Sequence, residues 1–272
     1  MSIKSPELFS LTNKVAIVTG ALGLIGKHHC FALSEAGANV VVADIDEEQC
    51  ILFAKELHTD SIGVGVDITK PQSIKSLRDT VLAKFDAIDI LVNNAAINDM
   101  FENPQAAAEL SMFENYPLDM WQKSLDVNVT GTFLCSQIIG TEMAKKGKGS
   151  IINIASTYGM VGPDQSIYKK PDGTQNFYKS PAYPSTKGAI INFTRFLAAY
   201  WGSKGVRVNT LSPGGVENNQ EECFINNYSQ KTMLGRMAQP IDYKGAIVFL
   251  ASDASLYMTG ANFVVDGGWT AW

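Results

Sequence analysis

No apolar run in this 272-residue sequence is long enough to cross a bilayer, and no basic stripe of the kind that tracks a phosphate backbone is present. Neither a membrane nor nucleic acid is therefore an expected partner. The opening residues, MSIKSPELFS, lack the apolar core of a secretion signal. Cysteine is scarce: Cys30, Cys50, Cys135 and Cys223 stand far apart, with no C-x-x-C pair and no Cys/His cluster. That pattern argues against a zinc site, predicts no metal, and suits the reduced thiols of a cytoplasmic protein. The formal charge is −5, with acids and bases mixed along the chain. Linker-like boundaries, internal repeats and low-complexity tracts are all missing, so residues 1–272 are expected to form one domain.

What the chain does have is apolar material, 46% of its residues, arranged in a regular rhythm. Short β-branched runs at 15–19, 39–44, 61–67, 88–94, 150–156, 206–212 and 262–266 read as strands. They lack clean alternation, as strands covered on both faces do. Helical patterns fall between them, at 24–36, 47–57, 71–84, 119–146, 183–202 and 240–251. The repetition predicts an α/β fold with a doubly wound parallel sheet of about seven strands, flanked by helices and joined by right-handed crossovers. Two irregular stretches, 97–117 and 157–181, each follow a predicted strand and should lie at the carboxyl edge of the sheet, where such folds bind ligands.

The first predicted strand hands over to a helix through TGALGLIG, with Gly20, Gly23 and Gly26 spaced three and three. The G-x-G-x-x-G pattern does not fit. Physically the loop still suits a pyrophosphate: Gly20 for the tight turn, Gly23 for close backbone approach, and Gly26 for packing of helix on strand. Leu24 and Ile25 would present first-turn N–H groups. The second strand ends at Asp44, 18 residues after Gly26 (44 − 26), followed by Ile45. A carboxylate there accepts both ribose hydroxyls of NAD and repels the extra phosphate of NADP. Lys27 and His28 follow the loop without entering it. Asp67 with Ile68, and Asn94 with Ala95 and Ala96, end the next two strands, where they can meet the adenine or brace neighbouring loops. These segments together predict a Rossmann-type NAD site.

The chemical signal is YPSTK, Tyr183 to Lys187. A tyrosine and a lysine at i and i+4 share a helix face. The ammonium is expected to lower the phenol's proton affinity, making Tyr183 a usable acid or base for an alcohol/ketone pair. Pro181 and Pro184 fit a helix that begins here.

At this point the sequence resembles the short-chain dehydrogenase/reductase family, in its compact single-domain branch. The resemblance covers nearly the whole chain: the TG…G loop, Asp44, NNAA, LDVNVTGTF, IINIAS, YPSTK, RVNTLSPGGV and MTGANFVVDGGWTA, in family order. It implies that Ser156 hydrogen-bonds the substrate oxygen and Tyr183 exchanges a proton with it. Lys187 would hold the nicotinamide ribose and depress the tyrosine pKa, and Asn128 would brace a kinked helix and a relay water. Pro213, Gly214 and Val216 would lie against the nicotinamide end. The implied reaction is reversible hydride transfer between an alcohol or ketone carbon and NAD. Three features depart from the family: alanine in NNAA where glycine is usual, Asn218 where threonine is common, and 27 residues between Ser156 and Tyr183 (183 − 156), roughly twice the usual spacing. The glycine spacing also differs from the branch's four and two, which leaves Leu24 to meet the pyrophosphate through its N–H.

The extra length between Ser156 and Tyr183 carries Asp164, Gln165, Tyr168, Lys169, Lys170, Gln175, Asn176 and Tyr178; the earlier stretch carries Asn98, Asp99, Glu102 and Asn103. Such groups suit a small polar substrate: a sugar, sugar acid or sugar phosphate, the two lysines meeting an anion. The chain looks like gluconate-type dehydrogenases and like oxidoreductases of flagellin and surface-sugar pathways. Two other classes stay open: a nucleotide-sugar epimerase or dehydratase with tightly bound NAD, for which the chain leaves no room for the usual C-terminal domain, and a non-catalytic NAD(H) binder. Helix 183–202 and part of 121–144 are apolar beyond one stripe, which predicts a homotetramer or homodimer interface. Trp269 and Trp272 would lie at a second interface or over an active site.

Overall fold

The computed structural model describes residues 4–98 and 108–272. Seven parallel strands form one sheet in the order β3-β2-β1-β4-β5-β6-β7: β1 (Val15–Thr19), β2 (Asn39–Asp44), β3 (Ile62–Gly65), β4 (Ile90–Asn93), β5 (Gly149–Ile154), β6 (Val206–Pro213) and β7 (Asn262–Val265). Chain order reverses between β1 and β4, which opens a crevice at their carboxyl ends.

All five residues of β1 are buried, and their side chains divide by the two-residue period of a strand. Ala16 and Val18 pack with Leu33 of α1 (Leu24–Glu35) and Phe53 of α2 (Glu47–Ala54). Val15 and Ile17 pack with Ile74 and Leu77 of α3 (Pro71–Phe85) on the other face. This double burial explains why the strands read as solid apolar runs.

The helices start and stop by local chemistry. Asp46 caps α2 by accepting a hydrogen bond from the Gln49 N–H, and Pro71 opens α3. The predicted helix 119–146 is three pieces: α4 (Leu118–Ser124), a π-helical segment Leu125–Gly131, and α5 (Thr132–Lys146), ended by Gly147 at φ 77°. α6 (Ala182–Trp201) follows the second irregular stretch. The expected helix 240–251 is shorter, a 3-10 turn Pro240–Tyr243 leading into α8 (Lys244–Ala251). Sequence reading missed α7 (Glu222–Ser229), because only Phe224, Ile225 and Tyr228 form its apolar stripe in a run of Glu, Asn and Gln. No helix among the described residues is long and apolar enough to cross a membrane.

Candidate active site

A cavity of about 930 Å³ runs along the carboxyl edge of the sheet, from the glycine loop to Tyr183. At one end the loop has the geometry its glycines imply. Gly20 sits at φ +62°, and a Cβ there would lie 2.6 Å from Ala95 Cα. A Cβ on Gly26 would meet the Gly20 carbonyl at 2.2 Å. Both close approaches require glycine. Gly23 is less constrained: its Cβ would meet only the Gly20 carbonyl, at 3.2 Å, and its own role is to precede α1. Leu24, Ile25 and Gly26 open the helix and line the cavity.

Asp44 ends β2 with one carboxylate oxygen accepting from the Leu22 N–H at 2.9 Å and the other from Ile45 at 2.7 Å. The same carboxylate that faces the cavity therefore also pins the glycine loop. Asn94 braces that loop from the other side, donating to the carbonyls of Thr19 and Gly20 at 3.1 and 2.8 Å. Asp67 is held by Thr69, whose hydroxyl and N–H donate to it at 2.7 and 2.9 Å; this keeps its carboxyl below the ordinary carboxylate pKa. Ile45, Ile68, Ala95, Ala96, Pro213, Gly214 and Val216 all line the cavity, as does Asn218. Lys27 turns elsewhere, over the ring of Phe53 at 5.7 Å.

At the other end, the fold brings the Ser156 side chain to Tyr183 in one cavity wall although 27 positions separate them (183 − 156). The Lys187 ammonium donates to the Ile154 carbonyl at 2.8 Å and lies 5.6 Å from the centre of the Tyr183 ring. Burial brings its pKa down to about 8. The Tyr183 phenol departs from expectation. Burial raises its pKa, and the Ser156 hydrogen bond opposes that rise only in part. Desolvation of the phenolate is the larger influence.

Asn128 is the one predicted catalytic or cofactor residue that does not line the cavity. It is buried in the π-helical segment, accepts from the Ile97 N–H at 2.8 Å, and donates to the Ile97 carbonyl at 3.0 Å and to the Thr186 hydroxyl at 3.1 Å. It ties the loop after β4 to the helix that carries Tyr183 and Lys187. A π-helical turn of this kind is a frequent mark of a functional site.

The insertion 157–181 corrects an expectation. Of the polar groups offered for substrate, Asn98 and Tyr168 line the cavity, whereas Asp164, Gln165, Lys169, Lys170, Gln175, Asn176 and Tyr178 do not. Asp164, Gln165 and Gln175 instead hold the segment in place. Asp164 pairs with Lys231 at 2.8 Å, Gln175 donates to the carbonyls of Gln165 and Phe177, and Lys169 is exposed. Asp99, Glu102 and Asn103 lie outside the described residues. The part of the cavity beyond Tyr183 is instead walled by Tyr158, Tyr168, Phe224, Tyr228 and Met237, with Lys179 among them. Trp269 backs this wall, stacked on Tyr228 at 4.2 Å, while Trp272 is exposed and donates to the Lys231 carbonyl.

Residues 20–270 match a family profile described as Enoyl-(Acyl carrier protein) reductase. A 3-alpha-(or 20-beta)-hydroxysteroid dehydrogenase of Mycobacterium bovis is 36% identical over 96% of this chain and 91% of its own length. The chain belongs to the short-chain dehydrogenase/reductase family. It is accordingly an oxidoreductase acting on CH–OH groups. Two solved members of the family superpose closely. The short-chain dehydrogenase of Leptospira borgpetersenii with bound NAD+ has a TM-score of 0.84 and 33% identity, covering 99% of this chain and 97% of its own. A gluconate 5-dehydrogenase from Burkholderia cenocepacia, in complex with NADP and tartrate, has a TM-score of 0.86 and 28% identity, covering 99% and 100%.

Motif spacing in this dehydrogenase missed the aromatic wall and Lys179. The wall is assembled from α7 and the insertion, neither of which has a strong pattern. Lys179 had one signal: it precedes Tyr183 by four residues (183 − 179), close enough in the chain to meet its ring.

Proposed function

We propose that this protein is an NAD-dependent dehydrogenase that interconverts an alcohol and a ketone on a small polar substrate: a sugar, sugar acid or sugar phosphate. The observation carrying this reading is the single cavity that joins the glycine loop and Asp44 to Ser156, Tyr183 and Lys187. The cradle fits a dinucleotide. Gly23, Leu24, Ile25 and Gly26 turn the start of α1 toward the cavity where a pyrophosphate would lie, and Asp44 stands beside it at the end of β2. When bound, the nicotinamide supplies the hydride acceptor or donor.

The protein's own residues do the rest. Asp44 takes the adenosine ribose hydroxyls and, as an anion, disfavours a 2′-phosphate. Ser156 donates to the substrate oxygen. Tyr183 accepts the hydroxyl proton as the carbonyl forms and returns it in the reverse direction. Lys187, 4% exposed, holds the nicotinamide ribose and favours the phenolate, and Asn128 fixes the helix that carries both. An aromatic wall beside polar Asn98 and Lys179 suits a sugar ring, whose C–H face stacks on aromatics while its hydroxyls face the polar side. The named relatives act on sugar acid and steroid alcohols, which keeps the substrate class a proposal. Residues 1–272 are read as one domain of a cytoplasmic homotetramer or homodimer.

The test is a panel of polyols, sugar acids, sugar phosphates and apolar ring alcohols, each with NAD and NADP. Stoichiometric NADH formation on a polar member, loss of nearly all turnover in Tyr183→Phe with NADH binding kept, and a preference for NAD are the expected results. Activity confined to apolar alcohols would replace the substrate reading. Product formed without net NADH would favour an epimerase, and a preference for NADP would overturn the role of Asp44.

A further inference from the structure

Lys179 is a buried lysine, 8% exposed, whose ammonium lies over the ring of Tyr183 at 4.4 Å from its centre. That is nearer than Lys187, at 5.6 Å from the same point. Lys179 is held there from two sides. Its ammonium donates to the Asn98 side-chain oxygen. Its backbone is clamped by Gln165, which accepts from the Lys179 N–H at 2.8 Å and donates to the Lys179 carbonyl at 3.0 Å. Gln165 is itself anchored, because Gln175 donates to its carbonyl at 3.0 Å. Thus Gln165 and Gln175, which do not reach the cavity, hold the segment that presents one cation to the Tyr183 phenol.

We propose that Lys179 is a positioning residue for proton transfer, a second ammonium that acts through Tyr183 by stabilising its phenolate form. The inference rests on the reading of Tyr183 as the acid–base group. Its physical basis is plain. A cation over an aromatic face is attracted to the ring, and the attraction grows when the ring gains a negative charge. The ring is half-buried in the cavity wall, so screening by water is reduced. Among the described residues, the titratable and charged groups around Tyr183 are Lys179 from the insertion, Lys187 from α6, and the phenols of Tyr158 and Tyr168. Of these, the two lysines are the cationic side chains. Burial works against the phenolate, as does any neighbouring phenol that ionises, so a single ammonium held on Ile154 leaves a deficit that Lys179 is placed to fill.

The experiment compares Lys179→Met, Lys179→Gln and Lys179→Arg with the wild type. Glutamine keeps a donor for Asn98 and loses the charge, so it separates charge from packing if the methionine variant folds poorly. On the panel substrate with the fastest turnover, the rising limb of the kcat–pH profile for oxidation should move up by about one pH unit in both neutral variants. The arginine variant should stay near the wild type, and KM for NAD should not change. A purely structural role would instead lower turnover evenly across pH. Phenolate absorbance, taken as the difference between each variant and its Tyr183→Phe double, reads the same step without substrate and decides the matter if no panel member turns over. An ionisation of Tyr183 at the same pH in the wild type and a folded neutral variant overturns the proposal. Full turnover in Tyr183→Phe would instead sink the catalytic reading beneath it.

Discussion

Tyr183 shows how much of a candidate catalytic residue's behaviour lies outside its motif. The Y-x-x-x-K spacing and the family pattern pointed to Tyr183, Lys187 and Ser156, and the fold brings all three to one cavity, because a helix repeats every 3.6 residues and a strand end is a fixed place. The sense of the phenol's pKa was not legible, because burial is a property of the folded cavity. The same holds for His29, which no motif singled out. It is fully buried in α1, and neither ring nitrogen has a hydrogen-bond partner. Burial first, and His28 second, lower its pKa from 6.5 to about 3. The unfolded chain therefore binds a proton below 6.5 that the native state refuses. Stability from this group is fully present above that value and is lost as pH falls from 6.5 toward 3, by at most about 1.4 kcal/mol per pH unit. His29→Leu should flatten this loss. Urea midpoints at pH 7.5 and 5.0 should lie closer together in the variant than in the wild type.

The elements were read more accurately than their joints. All seven strands and most helices were visible, because strands buried on both faces write solid β-branched runs. The π-helical segment Leu125–Gly131 was not visible as such, since one extra residue in a turn leaves no mark on an apolar pattern. Only the resemblance hinted at a kink. Asn128 is the reason the segment matters. Its side chain satisfies both backbone groups of Ile97 and reaches Thr186, joining three elements in one hydrogen-bond set. Asn128→Ala removes the partner of the half-buried Ile97 N–H and carbonyl and should destabilise the protein by about 1 kcal/mol. Turnover should fall while the affinity for NAD changes little, because Asn128 does not line the cavity. Equal losses in thermal stability and NAD binding, with turnover intact, would show that the tie is only structural.

For the whole molecule, α5 and α6 present aromatic residues that the core does not use. Phe196 is 60% exposed and Tyr200 58%, and their rings stack at 5.9 Å with an interplanar angle of 9°. Phe193 continues the stack at 6.4 Å from Phe196. The apolar excess in helix 183–202 thus lies on the surface, as the sequence suggested, in a patch that soluble monomers seldom leave open. Phe196→Asp combined with Tyr200→Asp should give a smaller particle by light scattering than the wild type, with NAD binding retained. A wild type already monomeric at micromolar concentration would refute the interface.

The long path between Ser156 and Tyr183 has a further consequence. The two side chains touch, so the insertion is a closed excursion that departs from and returns to the same point. Loop-closure entropy rises only with the logarithm of length; doubling such a loop costs about 0.6 kcal/mol. Lengthening it leaves the reacting groups where they were. This stretch can therefore be exchanged almost independently of the chemistry, and here it supplies part of the aromatic wall and a cation. Changes of substrate in such a chain would accumulate in residues 157–181, between two fixed catalytic ends, while the sheet and its glycine loop stay as they are.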